Sequence, residues 1–224
     1  MNMGYHTFDG SNRPNNVIAA MLFLAHTQDM RCSLIRATVP VFFLSVILAG
    51  SLQSQQKQVS GPRYTKAGAL LLPSDYRSWM FVTSGLGMTY GPTGATDAAG
   101  NPNFDNVFVN STAYEAFLKS GAWPDKTVLI VEARSSDSHV SINKDGHVQT
   151  KLLRVEAHVK DSARGGWGFY MFEPGMTESE VLPHTANCYS CHEQNGAVDS
   201  TFVQFYPTLI EAARKNGTYK RLEH

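Results

Sequence analysis

The stretch Cys188-Tyr189-Ser190-Cys191-His192 has the residue types and spacing for one definite chemistry. Two thiols three residues apart sit on one side of a helical turn. Each can add across a vinyl group of a porphyrin, and the imidazole beside the second thiol then reaches the iron. A disulfide, a redox pair or half of a zinc site are the competing uses of two such thiols. A zinc site wants two more ligands at matched spacing, and the chain after residue 51 has no further cysteine. A thioredoxin-like pair wants a strand-to-helix context early in a βαβ unit, whereas this pair stands near the C-terminus. Only porphyrin attachment also uses the histidine that follows at once. The expectation is one covalent c-type haem on Cys188 and Cys191, with His192 as the proximal iron ligand.

The sixth iron position then decides function. A second strong ligand favours electron transfer, and an open position admits small molecules. Met80, Met88, Met176 and His184 are the candidate ligands. An apolar wall there would favour neutral diatomic ligands, because a bound charge would lose its solvation. Phe81 and Phe108 lie in strand-like stretches that could supply it. Should a proton move at the site, Glu180 or Glu178, in the loop before the motif, is the expected general base.

These groups must be positioned by elements readable from pattern. Pro73 stops a short apolar segment, and Ser74 or Asp75 can cap a turn through Tyr76–Trp79. Strands are expected over 80–88, 104–110, 127–133, 148–159 and 167–172. The run from Thr127 to Ala133 is the best central strand. A helix capped by Ser111 or Thr112 should end at Gly121. Residues 91–103, 135–146 and 173–187 read as loops, and Gly165-Gly166 as a turn. Phe202, Phe205, Tyr206 and Leu209, spaced i, i+3, i+4 and i+7, suggest one aromatic face on a last helix capped by Asp199 or Ser200. Pro207 kinks that helix or starts it, and Asn216-Gly217 closes it. The fold class is therefore α+β: an antiparallel sheet of about five strands with inserted and C-terminal helices, the haem packed against it.

The 224 residues have zero formal net charge and a hydrophobic fraction of 42%, which point to a globular domain and away from nucleic acid. From Met30 the order is Arg31, Arg36, an apolar run over 37–49, then Gly50-Ser51: a signal peptide over 30–51, too short for a membrane span. Residues 1–29 read as a mis-assigned upstream start, 52–66 as a flexible leader, 67–217 as the haem domain and 218–224 as a tail. Cleavage would remove Cys32. Export to the periplasm suits the motif, because c-type haem is attached outside the cytoplasm.

Across 70–209 the chain resembles the cytochrome P-460 and cytochrome c′-beta family. The likeness is carried by Leu72-Pro73 with Tyr76-Arg77 and Trp79, Tyr114 with Gly121, Trp123-Pro124-Asp125, Thr127-Val128 with Glu132, Val159-Lys160-Asp161-Ser162, Trp167-Gly168-Phe169, the Cys188–His192 motif, and Gln204-Phe205-Tyr206-Pro207 with Leu209. It implies a single haem on an antiparallel sheet, a homodimer and a periplasmic address. One branch of that family carries a lysine joined to the porphyrin and oxidises hydroxylamine. The other has no such bond and binds nitric oxide or carbon monoxide in an apolar pocket. The position of the cross-linking lysine, one before Glu132, is here Val131. Lys126, Lys144 and Lys151 read as surface charges. The resemblance therefore favours binding of nitric oxide or another small ligand, or electron passage to a redox partner protein. Val131 joins Phe81 and Phe108 as expected pocket wall. Hydroxylamine or nitrogen-oxide oxidation, and a six-coordinate electron carrier, are the alternatives.

Overall fold

An uninterrupted apolar run needs cover on both faces, and the run from Thr127 has it: Val128, Leu129 and Ile130 are at most 2% exposed. The computed structural model describes residues 61–90, 96–97 and 99–221. The expected signal peptide, the piece before it and most of the leader lie outside the described residues. Five strands run antiparallel across one sheet in chain order: β2 (Met80–Leu86), β3 (Phe104–Val109), β4 (Val128–Asp137), β5 (Val148–Asp161) and β6 (Gly166–Phe172). The run from Thr127 is therefore the middle strand. β1 (Leu70–Leu71) pairs with β7 (Glu178–Ser179) in a second, two-stranded sheet. The helices are α1 (Ser111–Ser120), α2 (Asn187–Asn195) and α3 (Pro207–Lys215). The domain is α+β.

Side chains alternate between the faces of a strand, so register sorts the residues into two layers. Phe108, Ile130, Ala157 and Tyr170 stand in one row across β3 to β6. They face a core closed by Leu70 and Tyr76 with Tyr64, Leu72 and Trp79. Val107, Val131 and Glu156 form the adjacent row on the opposite face. That face is covered in part by Ala113 and Phe117 of α1, Trp123, and Leu209 and Ala213 of α3. Gly121 adopts φ 68° at the end of α1, and a Cβ there would stand 2.9 Å from the carbonyl oxygen of Ala212 in α3. Only glycine lets the two helices close this tightly.

β4 runs on to Asp137, into the expected loop 135–146, and other details differ from the sequence expectation or decide between its alternatives. The cap position of α1 is Asn110, whose side chain turns to the sheet: its oxygen accepts from the Val128 N–H at 2.8 Å. The last helix starts at Pro207, which lacks the N–H that a first helical residue leaves unused, so Phe202 and Phe205 precede it around a 3-10 turn, Val203–Phe205. Asp199 and Ser200 form a separate turn. β7 interrupts the expected loop 173–187, because two residues have too little pattern to read as a strand.

Glu132, with a side chain only 5% exposed, projects from β4. It accepts from the Tyr76 hydroxyl and from Arg134, and pairs with Arg77 at 2.5 Å. Burial alone would raise its carboxyl, but Arg134, Tyr76 and Arg77 together hold it below the ordinary range. A carboxyl held low stabilises the fold above its unfolded value, and that contribution is lost as pH falls through the folded value. Glu132→Gln should cost about 1.5–3 kcal/mol at pH 7 in urea unfolding. The gap to the parent protein should close as pH drops below the normal carboxylate range.

Candidate haem site

The motif helix is short and begins after the turn that Ala186 N–H makes to Pro183 carbonyl oxygen. Its residues divide by spacing. Cys188, Cys191 and His192 open into one cavity of about 340 Å³. Tyr189 points elsewhere, its hydroxyl donating to the Leu182 carbonyl at 3.1 Å and accepting from the Phe169 N–H at 3.4 Å. Because Phe169 belongs to the edge strand β6, these bonds seat α2 against the sheet. Both thiols are free. Burial raises Cys188, and the charge of Glu156 adds to it.

His192 sits in an aromatic cage, with ring centroids 4.2 Å from Phe202, 4.7 Å from Phe169 and 4.8 Å from His158. Its Nδ1 lies 2.9 Å from the Ser200 carbonyl oxygen. A carbonyl can only accept, so Nδ1 carries the proton and Nε2 keeps a lone pair. Burial depresses the imidazole, with the Ser200 bond and Glu156 opposing, so it stays neutral at pH 7. A neutral, oriented imidazole is what an iron ligand requires.

The rest of the cavity comes from the strand face with Val107 and Val131, together with Leu129, Met88, Tyr90 and Tyr206. Gly85 leaves the space in which the Met88 thioether lies. Three charged groups also line it: Asp105 of β3, and Arg154 and Glu156 of β5. Arg154 Nε donates to Glu156 Oε1 at 2.5 Å. Burial raises the Asp105 carboxyl, Arg154 opposes that, and Glu156 adds to it. His158, 6% exposed, continues the same face of β5 and stacks on Phe169 at 4.0 Å. Burial, then His192, holds His158 well below its ordinary value.

A family model described as Cytochrome P460 matches residues 73–203, more than half of the chain. The chain belongs to the cytochrome P460 family. No curated protein matched it. Membership makes it a cytochrome, a protein built around haem iron. The matched span runs from Pro73 through every strand of the large sheet and the motif helix, and so includes Cys188, Cys191, His192 and most of the residues that line the cavity. The residues present fit such a group: two free thiols and a lone-pair imidazole line a cavity walled mostly by aromatic and aliphatic side chains, with Asp105, Arg154 and Glu156 among them.

The cytochrome's other expected residues are placed as follows. Val131 lines the cavity, and Phe81 and Phe108 do not. They meet each other edge-on at 5.7 Å on the opposite face, where Phe108 also meets Tyr76 at 5.8 Å and Phe81 is 52% exposed. The register slips between Phe81 and Thr83, a bulge at Val82. It puts Phe81 on the face away from Thr83 and Gly85, which plain alternation would have grouped with it. Glu180 and Glu178 are exposed at β7, outside the cavity, and the carboxylates inside it are Asp105 and Glu156. Of the candidate sixth ligands only Met88 lines the cavity. His184 borders a second hollow beside Tyr189, and Met80 and Met176 are exposed. Lys144 and Lys151 are exposed, and Lys126 pairs with Asp161.

Sequence reading missed Arg154, Glu156 and His158. The signal was present in the alternation Arg-Val-Glu-Ala-His-Val-Lys over 154–160, whose polar set looks solvent-facing until the opposite face is known to be the other core. Tyr189→Phe should free the Phe169 N–H and Leu182 carbonyl at a cost of about 0.5–1.5 kcal/mol. Hydrogen exchange at Phe169 should accelerate while exchange at Ile130 stays slow.

Proposed function

We propose that this member of the cytochrome P460 family carries one haem c, joined through thioethers to Cys188 and Cys191 with His192 Nε2 as the axial protein ligand. The protein binds nitric oxide or a similar small neutral ligand, or passes electrons, in the periplasm. The observation that carries this reading is the convergence of both thiols and a neutral, oriented imidazole on a single cavity. Bound haem supplies a redox-active iron with a coordination position for a small ligand.

The chain's own residues do the rest. Phe169, Phe202 and His158 fix the His192 ring, and the Ser200 carbonyl holds its tautomer. Val107, Leu129 and Val131 exclude water from part of the wall and disfavour a bound charge. Val131 faces the cavity at the position where the hydroxylamine-oxidising branch carries its lysine, and valine has no amine with which to form that bond. This supports ligand binding over oxidation.

The second reading, oxidation of hydroxylamine or a related nitrogen oxide, draws on the carboxylates. Asp105, raised by burial, and Glu156, paired with Arg154, could hold or take a proton beside a bound substrate. Met88 in the cavity wall supports a third, a six-coordinate electron carrier. The signal-like stretch over 30–51 supports export. The apolar side chains exposed on edge strand β2, Met80, Phe81 and Leu86, support a homodimer.

Cys188→Ser/Cys191→Ser protein, made in a host that matures c-type haem, should lose colour that survives acidic butanone extraction, whereas the parent keeps it. Extractable haem in the parent would refute thioether attachment. In the parent, high-spin ferrous iron that takes up carbon monoxide, with no hydroxylamine turnover, fits ligand binding. Steady hydroxylamine turnover would select the oxidase, and low-spin iron in both redox states the carrier.

A further inference from the structure

The carbonyl that holds His192 belongs to an unusual turn. Val198 and Thr201 are bridged antiparallel, and the two residues between them, Asp199 and Ser200, have φ of 46° and 57°. Two-residue turns with both φ positive normally use Asn-Gly or Asp-Gly. A serine in that region is disfavoured and persists only where its surroundings over-determine it.

Three tethers do so here. Lys160 Nζ contacts Asp199 Oδ2 at 2.6 Å and donates to the Trp123 carbonyl at 2.8 Å. The Trp123 indole N–H donates to Thr201 Oγ1 at 2.8 Å, and that hydroxyl donates to the Val198 carbonyl at 2.6 Å. Gly196 caps α2, and a Cβ there would stand 2.7 Å from the Ser200 carbonyl carbon and from Thr201 N. Glycine alone lets the turn press this closely on the end of the motif helix. What the turn delivers is the Ser200 oxygen, 2.9 Å from Nδ1 of His192.

We infer that Lys160 and Asp199 are positioning residues for the iron ligand. Their ion pair holds the strained turn that keeps the Ser200 carbonyl on His192 Nδ1. That bond sets the imidazole's donor strength and so the reduction potential of the haem iron. This rests on His192 being the iron ligand, as proposed above. A ring N–H given to a carbonyl leaves more electron density on Nε2, which favours ferric iron and lowers the potential.

The side chains of Lys160 and Asp199 are 29% and 39% exposed, and Lys160→Met keeps an unbranched side chain of similar length. The test compares haem-loaded parent, Lys160→Met and Lys160→Arg proteins, reading the reduction potential and the solvent exchange of the His192 Nδ1 proton by NMR. Removing a cation acts through space to lower the potential, whereas loosening the Nδ1 bond raises it, so the sign separates the two. Lys160→Met should shift the ferric/ferrous ratio toward ferrous by up to about tenfold, or about 59 mV for one electron. It should also speed Nδ1 proton exchange, and Lys160→Arg should restore both. A Lys160→Met protein with covalent haem and a parental or lower potential would overturn the inference. So would a Lys160→Arg protein as altered as Lys160→Met. A parent protein lacking covalent haem would instead refute the reading of His192 on which the inference stands.

Discussion

His192 is gripped from three sides by the rings of Phe169, Phe202 and His158 and from a fourth by a backbone carbonyl. The site depends on that grip, because an imidazole is useful to a metal only when its plane and its tautomer are fixed. The partners come from three different parts of the chain. Phe169 is on the edge strand β6, His158 on β5, and Phe202 and Ser200 on the segment after α2. The ligand is therefore oriented only when sheet, motif helix and C-terminal turn have all docked. A nine-residue helix with no side-chain cap bond at its start has little stability alone, and its tertiary contacts hold it in place.

The sheet makes this arrangement available by being buried on both faces. One face spends its apolar side chains on the core closed by Leu70 and Tyr76. The other divides its area between the α1–α3 core and the cavity. Arg154, Glu156, His158 and Lys160 all project from alternate positions of β5 toward that second face. One strand thus supplies a carboxylate and a guanidinium to the cavity wall, an imidazole to the aromatic cage and the ammonium that pins the turn at Asp199. Burying such groups is costly unless they are paired, and Arg154 with Glu156 and Lys160 with Asp199 are paired. His158 avoids the cost of a buried charge by staying neutral between two aromatic rings, and its Nε2 is left without a hydrogen-bond partner.

Much of this was legible beforehand because it is local. The three-residue spacing of the thiols, the histidine after them, the continuous apolar run of β4 and the glycine closing α1 act within a few residues of each other. The α+β class and the central place of the run from Thr127 followed from those patterns, as did the family resemblance. Pattern failed where a choice depended on a distant neighbour. Phe81 was expected in the cavity wall because it lies in a strand-like stretch, but the bulge at Val82 turns it to the other face. Phe108 was one position from Val107, which does line the cavity, and periodicity does not say which face is which. Glu180 was favoured for its closeness in sequence to the motif, but the carboxylates in the cavity stand on β3 and β5, up to 83 residues before Cys188.

The sequence by itself determined the chemical repertoire: two thiols and an imidazole at haem-attachment spacing, on a β-rich body with one central strand. Tertiary structure decided which face of the sheet meets that motif, which carboxylates share its cavity, and which carbonyl holds its histidine. The division has a physical reason. Helical turns and strand alternation are fixed by bonds and sterics within a few residues. The side of a sheet that becomes a cavity is fixed by which helices have enough apolar surface to cover the remainder, and that is settled only when the whole chain packs.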